Sequence, residues 1–263
     1  QRYEAARETV RAFINAQHTE EIVFTKGGTE AINLIASSWA SPRIRAGDEI
    51  VLSVMEHHSN IVPWHFLRER QGAVLKWVDV LDDGSLDMAA LDAAIGPKTK
   101  LVAVAHMSNV LGTVTPLKEI IATVHAKDVP VLVDGCQGAV HESVDVRDLD
   151  VDFYALTGHK LYGPTGIGAL YAKRKHLTAM RPYNGGGEMI REVSRETVSY
   201  AEPPARFEAG TPPIVESVGL AAALDYITSF DRAAVRAHET SLLDAAREAV
   251  RAFNWLRVIG DAP

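Results

Sequence analysis

The chain has 263 residues, 47% hydrophobic and 23% charged, which is enough apolar material for a large core and rules out a disordered chain. Its formal charge of −7, with no block of Lys or Arg, argues against nucleic acid or an anionic membrane as the main partner. No apolar run reaches bilayer-spanning length and the start carries no signal-peptide pattern, so a cytoplasmic location is expected, and the single Cys136 excludes an internal disulfide.

The first sixteen residues, QRYEAARETVRAFINA, read as an amphipathic helix. Short β-branched runs then follow at 21–24, 49–54, 73–80, 100–107, 129–134, 151–156 and 166–172. Helical spacing falls between most of them, over 29–39, 61–70, 87–95 and 116–126, the last opening on Pro116. The alternation predicts an α/β fold, a mostly parallel central sheet with helices on both faces. After Tyr183 the composition shifts to loops, marked by Asn184-Gly-Gly-Gly187 and Pro203-Pro204, before two long helices over about 216–229 and 231–253. We read 1–228 as a large domain and 229–263 as the start of a small α+β domain, with the closing NWLRVIGDAP as a strand just beginning. The absence of an initiator Met and these two ends suggest an internal piece of a longer protein.

In an open α/β sheet, ligands sit beyond the carboxyl ends of the strands. Five predicted strands deliver polar groups there: Thr25 to Glu30, Glu56 to Asn60, Ser108-Asn109, Asp134, and Thr157-Gly158-His159-Lys160. A carboxylate at a strand end and a lysine behind a small polar turn are what pyridoxal phosphate chemistry needs, one for the pyridine nitrogen and one for the aldehyde. Taken alone, Asp134 reads first as a loop or helix-cap residue and Lys160 as a solvated charge, and only together do they point to the cofactor. Gly27-Gly28-Thr29 opening a helix suits a phosphate, although an ordinary cap with Thr29 as oxygen donor has the same pattern. Adjacent histidines on extended chain point apart, so His57 and His58 do not suggest a shared metal, and none is expected. Cys136, two residues beyond Asp134, reads as a small packing residue and not as a nucleophile. No GxGxxG follows the first strand, and there is no Walker lysine motif or GxSxG elbow.

The segments MEHHSNIVPW, HMSNVLGT, VLVDGCQG, TGHKLYGPTGIGALY, NGGGEMI and RFEAGTP, in this order and spacing, resemble the group II cysteine desulfurases of the SufS type, within the class V aminotransferases of fold type I. The resemblance implies a pyridoxal 5'-phosphate enzyme that converts L-cysteine to L-alanine and passes sulfur through an enzyme persulfide towards iron–sulfur cluster assembly. It implies that Lys160 bonds the cofactor and serves as base at Cα, that Asp134 keeps the pyridine nitrogen protonated, and that His57 stacks on the ring and helps move protons. Gln137 would bond the phenolic oxygen, and Gly28, Thr29, Thr157 and His159 the phosphate. Asn109 would touch the substrate carboxylate or the ring oxygen, and Thr211 would reach the phosphate of a partner protomer, which implies a homodimer. A sulfur-acceptor protein is a further implied partner. L-Selenocysteine is an alternative substrate, another class V aminotransferase reaction an alternative chemistry, and a noncatalytic scaffold an alternative of a different kind.

Three departures from the family pattern stand out: Gly28 replaces one of two usual threonines, Thr157 replaces a serine, and Cys136 replaces an alanine. The resemblance also places the persulfide cysteine and a carboxylate-binding arginine beyond Pro263, so Cys136 does not inherit the nucleophile's role.

Overall fold

The seven β-branched runs form one sheet, and their side chains sort by period two into two buried layers. The structure, a computed structural model, describes residues 1–260 and 262. Its elements are α1 (Arg2–Phe13), β1 (Ile22–Thr25), α2 (Gly28–Leu34), β2 (Glu49–Ser53), α3 (Val62–Gln71), β3 (Val74–Val78), α4 (Met88–Ala94), β4 (Thr99–Ala105) and α5 (Leu117–His125). There follow β5 (Val131–Asp134), α6 (Gly138–His141), β6 (Phe153–Thr157), β7 (Gly168–Ala172), α7 (Arg174–Ala179), the hairpin β8 (Ile190–Val193) and β9 (Val198–Tyr200), α8 (Ile214–Thr228) and α9 (Arg232–Arg251).

The sheet order is β1-β7-β6-β5-β4-β2-β3. Pairs β6/β5, β5/β4, β4/β2 and β2/β3 are parallel, whereas β7 runs antiparallel to both β1 and β6. Six strands therefore point the same way and β7 alone is reversed. On β4 to β6, Val102, Val104, Val131, Val133, Tyr154 and Leu156 face one core, while Leu101, Ala103, Leu132, Phe153 and Ala155 face the other. The first core is closed by Val10 and Ile14 near the amino end, Leu91 of α4, Ile120 and Val124 of α5, and Leu220 and Leu224 of α8. The second is closed by Ile32 and Leu34 of α2, Trp64 and Leu67 of α3, and Leu177 of α7. Burying each such aliphatic side chain stabilises the sheet by about 1.5–3 kcal/mol, so both layers are needed to hold the central strands.

Three features differ from the expectations. Helix α2 does not continue regularly to residue 39 but passes into a π-helical stretch, Ile35–Ala40, that turns Trp39 into the second core. The loop region expected after Tyr183 contains the β8–β9 hairpin, and the stretch between β7 and Tyr183, for which the sequence predicts no element, contains α7; both are short and largely polar. Residues 254–260, expected to open a strand, are irregular, and Asp261 and Pro263 lie outside the described residues. Helix α9 follows the expected span, but none of its side chains is buried.

Candidate active site

Because β1, β2, β4, β5 and β6 run in one direction, their carboxyl ends meet at one edge of the sheet, where five loops converge. Asp134 ends β5 with its side chain 5% exposed, and its Oδ1 accepts a hydrogen bond from the Cys136 backbone N–H at 3.0 Å. Beside it, β6 ends in the buried Thr157, and the single turn Gly158–Lys160 follows at once. That turn is pinned from both sides: the Gly158 N–H donates to the Ile167 carbonyl, and the Leu161 and Gly163 N–H groups donate to the Gly158 carbonyl, each at 2.9 Å. Lys160 thus leaves a fixed turn next to Asp134. The Thr157 hydroxyl and His159 Nδ1 lie 3.1 Å apart, bringing two polar groups to the same lip.

Across the cleft, α2 begins at Gly28, with Gly27 at φ 154° before it. The first N–H groups of a helix have no partner within it, so they face the opening as donors. Glu30 braces this corner, accepting from the Lys26 N–H and from the Tyr183 hydroxyl, each at 2.5 Å.

His57 leads the turn after β2. Its Nδ1 accepts from the Ser59 backbone N–H at 3.1 Å and lies 2.7 Å from the Ser59 hydroxyl. A backbone N–H can only donate, so Nδ1 is the unprotonated nitrogen and Nε2 carries the ring proton in the neutral imidazole. The rings of His57 and His58 are 5.8 Å apart between centroids and tilted by 46°; His57 is extended, but His58 opens the single turn His58–Asn60 where the sequence predicts extended chain. Under His57 lies Glu56, a buried carboxyl that sequence reading left without a role. Ser53 Oγ donates to its Oε1 at 2.5 Å, the Ala105 N–H to Oε1 at 3.0 Å, and Asn60 Nδ2 to Oε2 at 2.6 Å; Trp64 Nε1 in turn donates to Asn60 Oδ1. Burial pushes Glu56 up to about 7, partly offset by these three donors and reinforced by the nearby Asp134. Glu56 therefore ties the His57 turn to β4, 49 residues away in sequence.

The cleft these loops enclose has a volume of about 640 Å³. Gly28, Thr29, His57, Asp134, Thr157, His159 and Lys160 all line it, as do Lys26, Asn33 and Tyr183, which the sequence did not single out. Asn184, from the glycine-rich loop expected near the site, lines it too. Asn109 and Gln137 are not among its lining residues, and Thr211 is expected to serve a partner protomer's site and not this one. Asn109 is on the exposed turn after β4, and Gln137 is half-buried at the start of α6. Thr211 lines a neighbouring cleft of about 440 Å³ that shares Lys26, Glu30 and Asn184 with the first. The donor set fits a planar, phosphate-bearing aldehyde: the N–H groups that open α2, the hydroxyls of Thr29 and Thr157, a buried carboxylate and a primary amine all line one cleft. Both the Thr29 end and the Asp134 end are present in a cleft of suitable size.

A doubly wound sheet with one reversed strand and this cleft at its carboxyl edge is the architecture of the class V aminotransferases, and the chain belongs to that family, matching it over residues 1–263. Among relatives, a cysteine desulfurase of Dickeya dadantii is 51% identical over 258 residues, covering 98% of this chain and 63% of that protein. The crystal structure of the cysteine desulfurase CsdA from Escherichia coli superimposes with a TM-score of 0.93 at 43% identity, covering 95% of this chain and 63% of that one. A cystine C–S lyase in complex with its product, cysteine persulfide, superimposes with a TM-score of 0.78 at 31% identity, over 86% of this chain and 60% of that one. The chain thus spans less than two thirds of the length of each.

Proposed function

We propose that this chain is the cofactor-binding part of a pyridoxal phosphate enzyme that cleaves the carbon–sulfur bond of L-cysteine, leaving L-alanine and passing the sulfur on as an enzyme persulfide. The observation that carries the reading is the convergence of buried Asp134, turn-anchored Lys160 and the open start of α2 on one cleft. Desulfurase and C–S lyase, the activities named for the relatives, share cleavage of a bond to sulfur, which supports a sulfur-bearing amino acid as the substrate class.

When bound, the cofactor supplies an electrophilic carbon and an electron sink for charge developing at the substrate Cα. Asp134 presents its carboxylate to the pyridine nitrogen and holds a proton there; its burial strengthens that interaction. Lys160 would be the residue that holds the cofactor through its aldehyde, and its amine would serve as the base for the proton at the substrate Cα. His57, whose Nδ1 accepts from the Ser59 N–H and so keeps the ring proton on Nε2, would stack on the ring and help move protons. Gly28 and Thr29 hold the phosphate through backbone N–H groups, with the hydroxyl of Thr157 and the imidazole of His159 completing the cradle. In the same reading Gln137 would approach the phenolic oxygen, and Asn109 the substrate carboxylate or the ring oxygen. Thr211 serves the site of a second protomer, so the working unit is a homodimer, and a sulfur-acceptor protein engaged in iron–sulfur cluster assembly receives the product.

The test uses the longer protein that contains this chain, loaded with pyridoxal phosphate and given L-cysteine and a reductant. Alanine and sulfide appearing in equal amounts is the expected result. A keto acid that keeps its sulfur, with no sulfide released, would mean transamination; pyruvate with sulfide and ammonia would mean β-elimination; no product at all would leave the chain as a scaffold.

A further inference from the structure

The turn after β5 carries Asp134 and is held at three points. A side chain at Gly135 would overlap the phenol ring of Tyr154, and one at Gly138 would overlap the imidazole of His106. Those two walls are joined to each other, His106 Nδ1 lying 2.9 Å from the Tyr154 hydroxyl. Both are deeply buried, so two ends of the turn are seated against a rigid surface. The third point faces the opposite way. Cys136 Sγ fills the space that a Cβ on Gly28 would occupy, well inside van der Waals contact. Apart from the Cys136 Cβ at 3.9 Å, no other atom outside the local helix comes within 4 Å of that position. The sulfur alone therefore sets how closely the turn and the first residue of α2 approach. The thiol is 9% exposed, and burial together with the neighbouring Asp134 pushes its pKa well above the ordinary value, so it packs as an uncharged group.

We propose that Cys136 is a positioning residue, a spacer interlocked with Gly28 that fixes the distance between the Asp134 turn and the amino end of α2, and so between the two ends of the cleft. Residue 28 must lack a side chain because residue 136 has a sulfur there. The two positions act as one steric unit, and each is tolerant only in the context of the other. The steric claim stands on the protein alone; its effect on cofactor affinity rests on the pyridoxal phosphate reading above.

The experiment compares Gly28→Ala, Cys136→Ala and the double variant in the full chain, reading the thermal unfolding midpoint without cofactor and pyridoxal phosphate affinity from visible absorbance. Gly28→Ala is expected to lower the midpoint by about 5 °C or more through overpacking and to weaken affinity about tenfold. Cys136→Ala is expected to lower the midpoint by about 2–4 °C, since it leaves a small void. The double variant, carrying both changes, is expected to melt above Gly28→Ala and to recover most of the lost affinity, because the new methyl enters the space the sulfur has left. Losses that simply add would overturn the proposal. Should Gly28→Ala fail to fold, folding of the double variant supports the interlock and its failure to fold contradicts it. Wild-type chain that binds no pyridoxal phosphate would defeat the cofactor reading, while the midpoints would still decide the interlock.

Discussion

Asp134 and Lys160 divide the proposed chemistry between a group that holds a proton and one that moves it. Asp134→Asn keeps the volume of the side chain but removes the charge, and in the cofactor-loaded protein it should slow exchange of the substrate Cα proton by about 10²-fold or more while binding changes far less. Deuterium exchange at Cα measures this directly; an unchanged exchange rate would remove Asp134 from the mechanism. These two residues were legible because each stands at the end of a β-branched run, where topology alone sends side chains to the ligand edge. Glu56 was not legible. Its burial is created by Ala105 and Asn60 closing over it, and nothing in the local sequence EHHSN announces that. The departures at Gly28 and Cys136 read as two separate changes in sequence, 108 positions apart, and become one contact only in space.

Among the elements, the turn between β2 and α3 and the helix α1 are each fixed by a buried ionisable side chain, Glu56 in the first and Arg7 in the second. Glu56 ionises at about 7 in the folded chain, above an ordinary carboxyl at 4.5, so its contribution to stability is fully present below pH 4.5 and is lost as pH rises through 7. Unfolding free energy of the wild type relative to Glu56→Gln should therefore fall by on the order of 3 kcal/mol between those limits. Denaturant titrations across that pH range test it, and a constant difference would contradict it. Arg7 of α1, 2% exposed, forms a two-pronged ion pair with Glu208 at 2.6 and 2.9 Å and also donates to the Ile22 carbonyl. Glu208 further accepts from the Tyr3 hydroxyl and the Phe24 N–H, so a single carboxylate joins α1, β1 and the segment that leads to Thr211. Glu208→Ala leaves the buried guanidinium with Glu4, itself exposed, as its remaining ion-pair partner at 2.9 Å, and should cost about 2–4 kcal/mol, measured by the same titrations. A loss below 1 kcal/mol would mean that water reaches Arg7.

The strand positions were legible from periodicity, but the reversal of β7 was not, because a strand's pattern carries no direction. The signal was connection length: only 158–167 separate β6 from β7, fewer than the dozen or so residues a parallel crossover needs. The α7 helix and the β8–β9 hairpin escaped for a different reason. They are short and expose most of their side chains, so little apolar spacing marks them.

Over the whole molecule, two cores on either side of one sheet hold the five loop ends in register, and the cleft inherits its geometry from them. Cofactor binding to the folded chain alone should then raise its stability by about 2.7 kcal/mol when free pyridoxal phosphate stands at a hundred times its dissociation constant, seen as a higher unfolding midpoint. No shift at that concentration would mean that the cleft does not select this ligand in the folded state. Among the described residues no helix is long and apolar enough to cross a membrane. The most direct test of the central claim is a visible absorption spectrum of the purified chain titrated with pyridoxal phosphate, beside the same titration of Lys160→Ala. The account predicts a saturable band in the wild type that borohydride fixes onto Lys160 and that the variant lacks; no band, or one equal in both proteins, would contradict it.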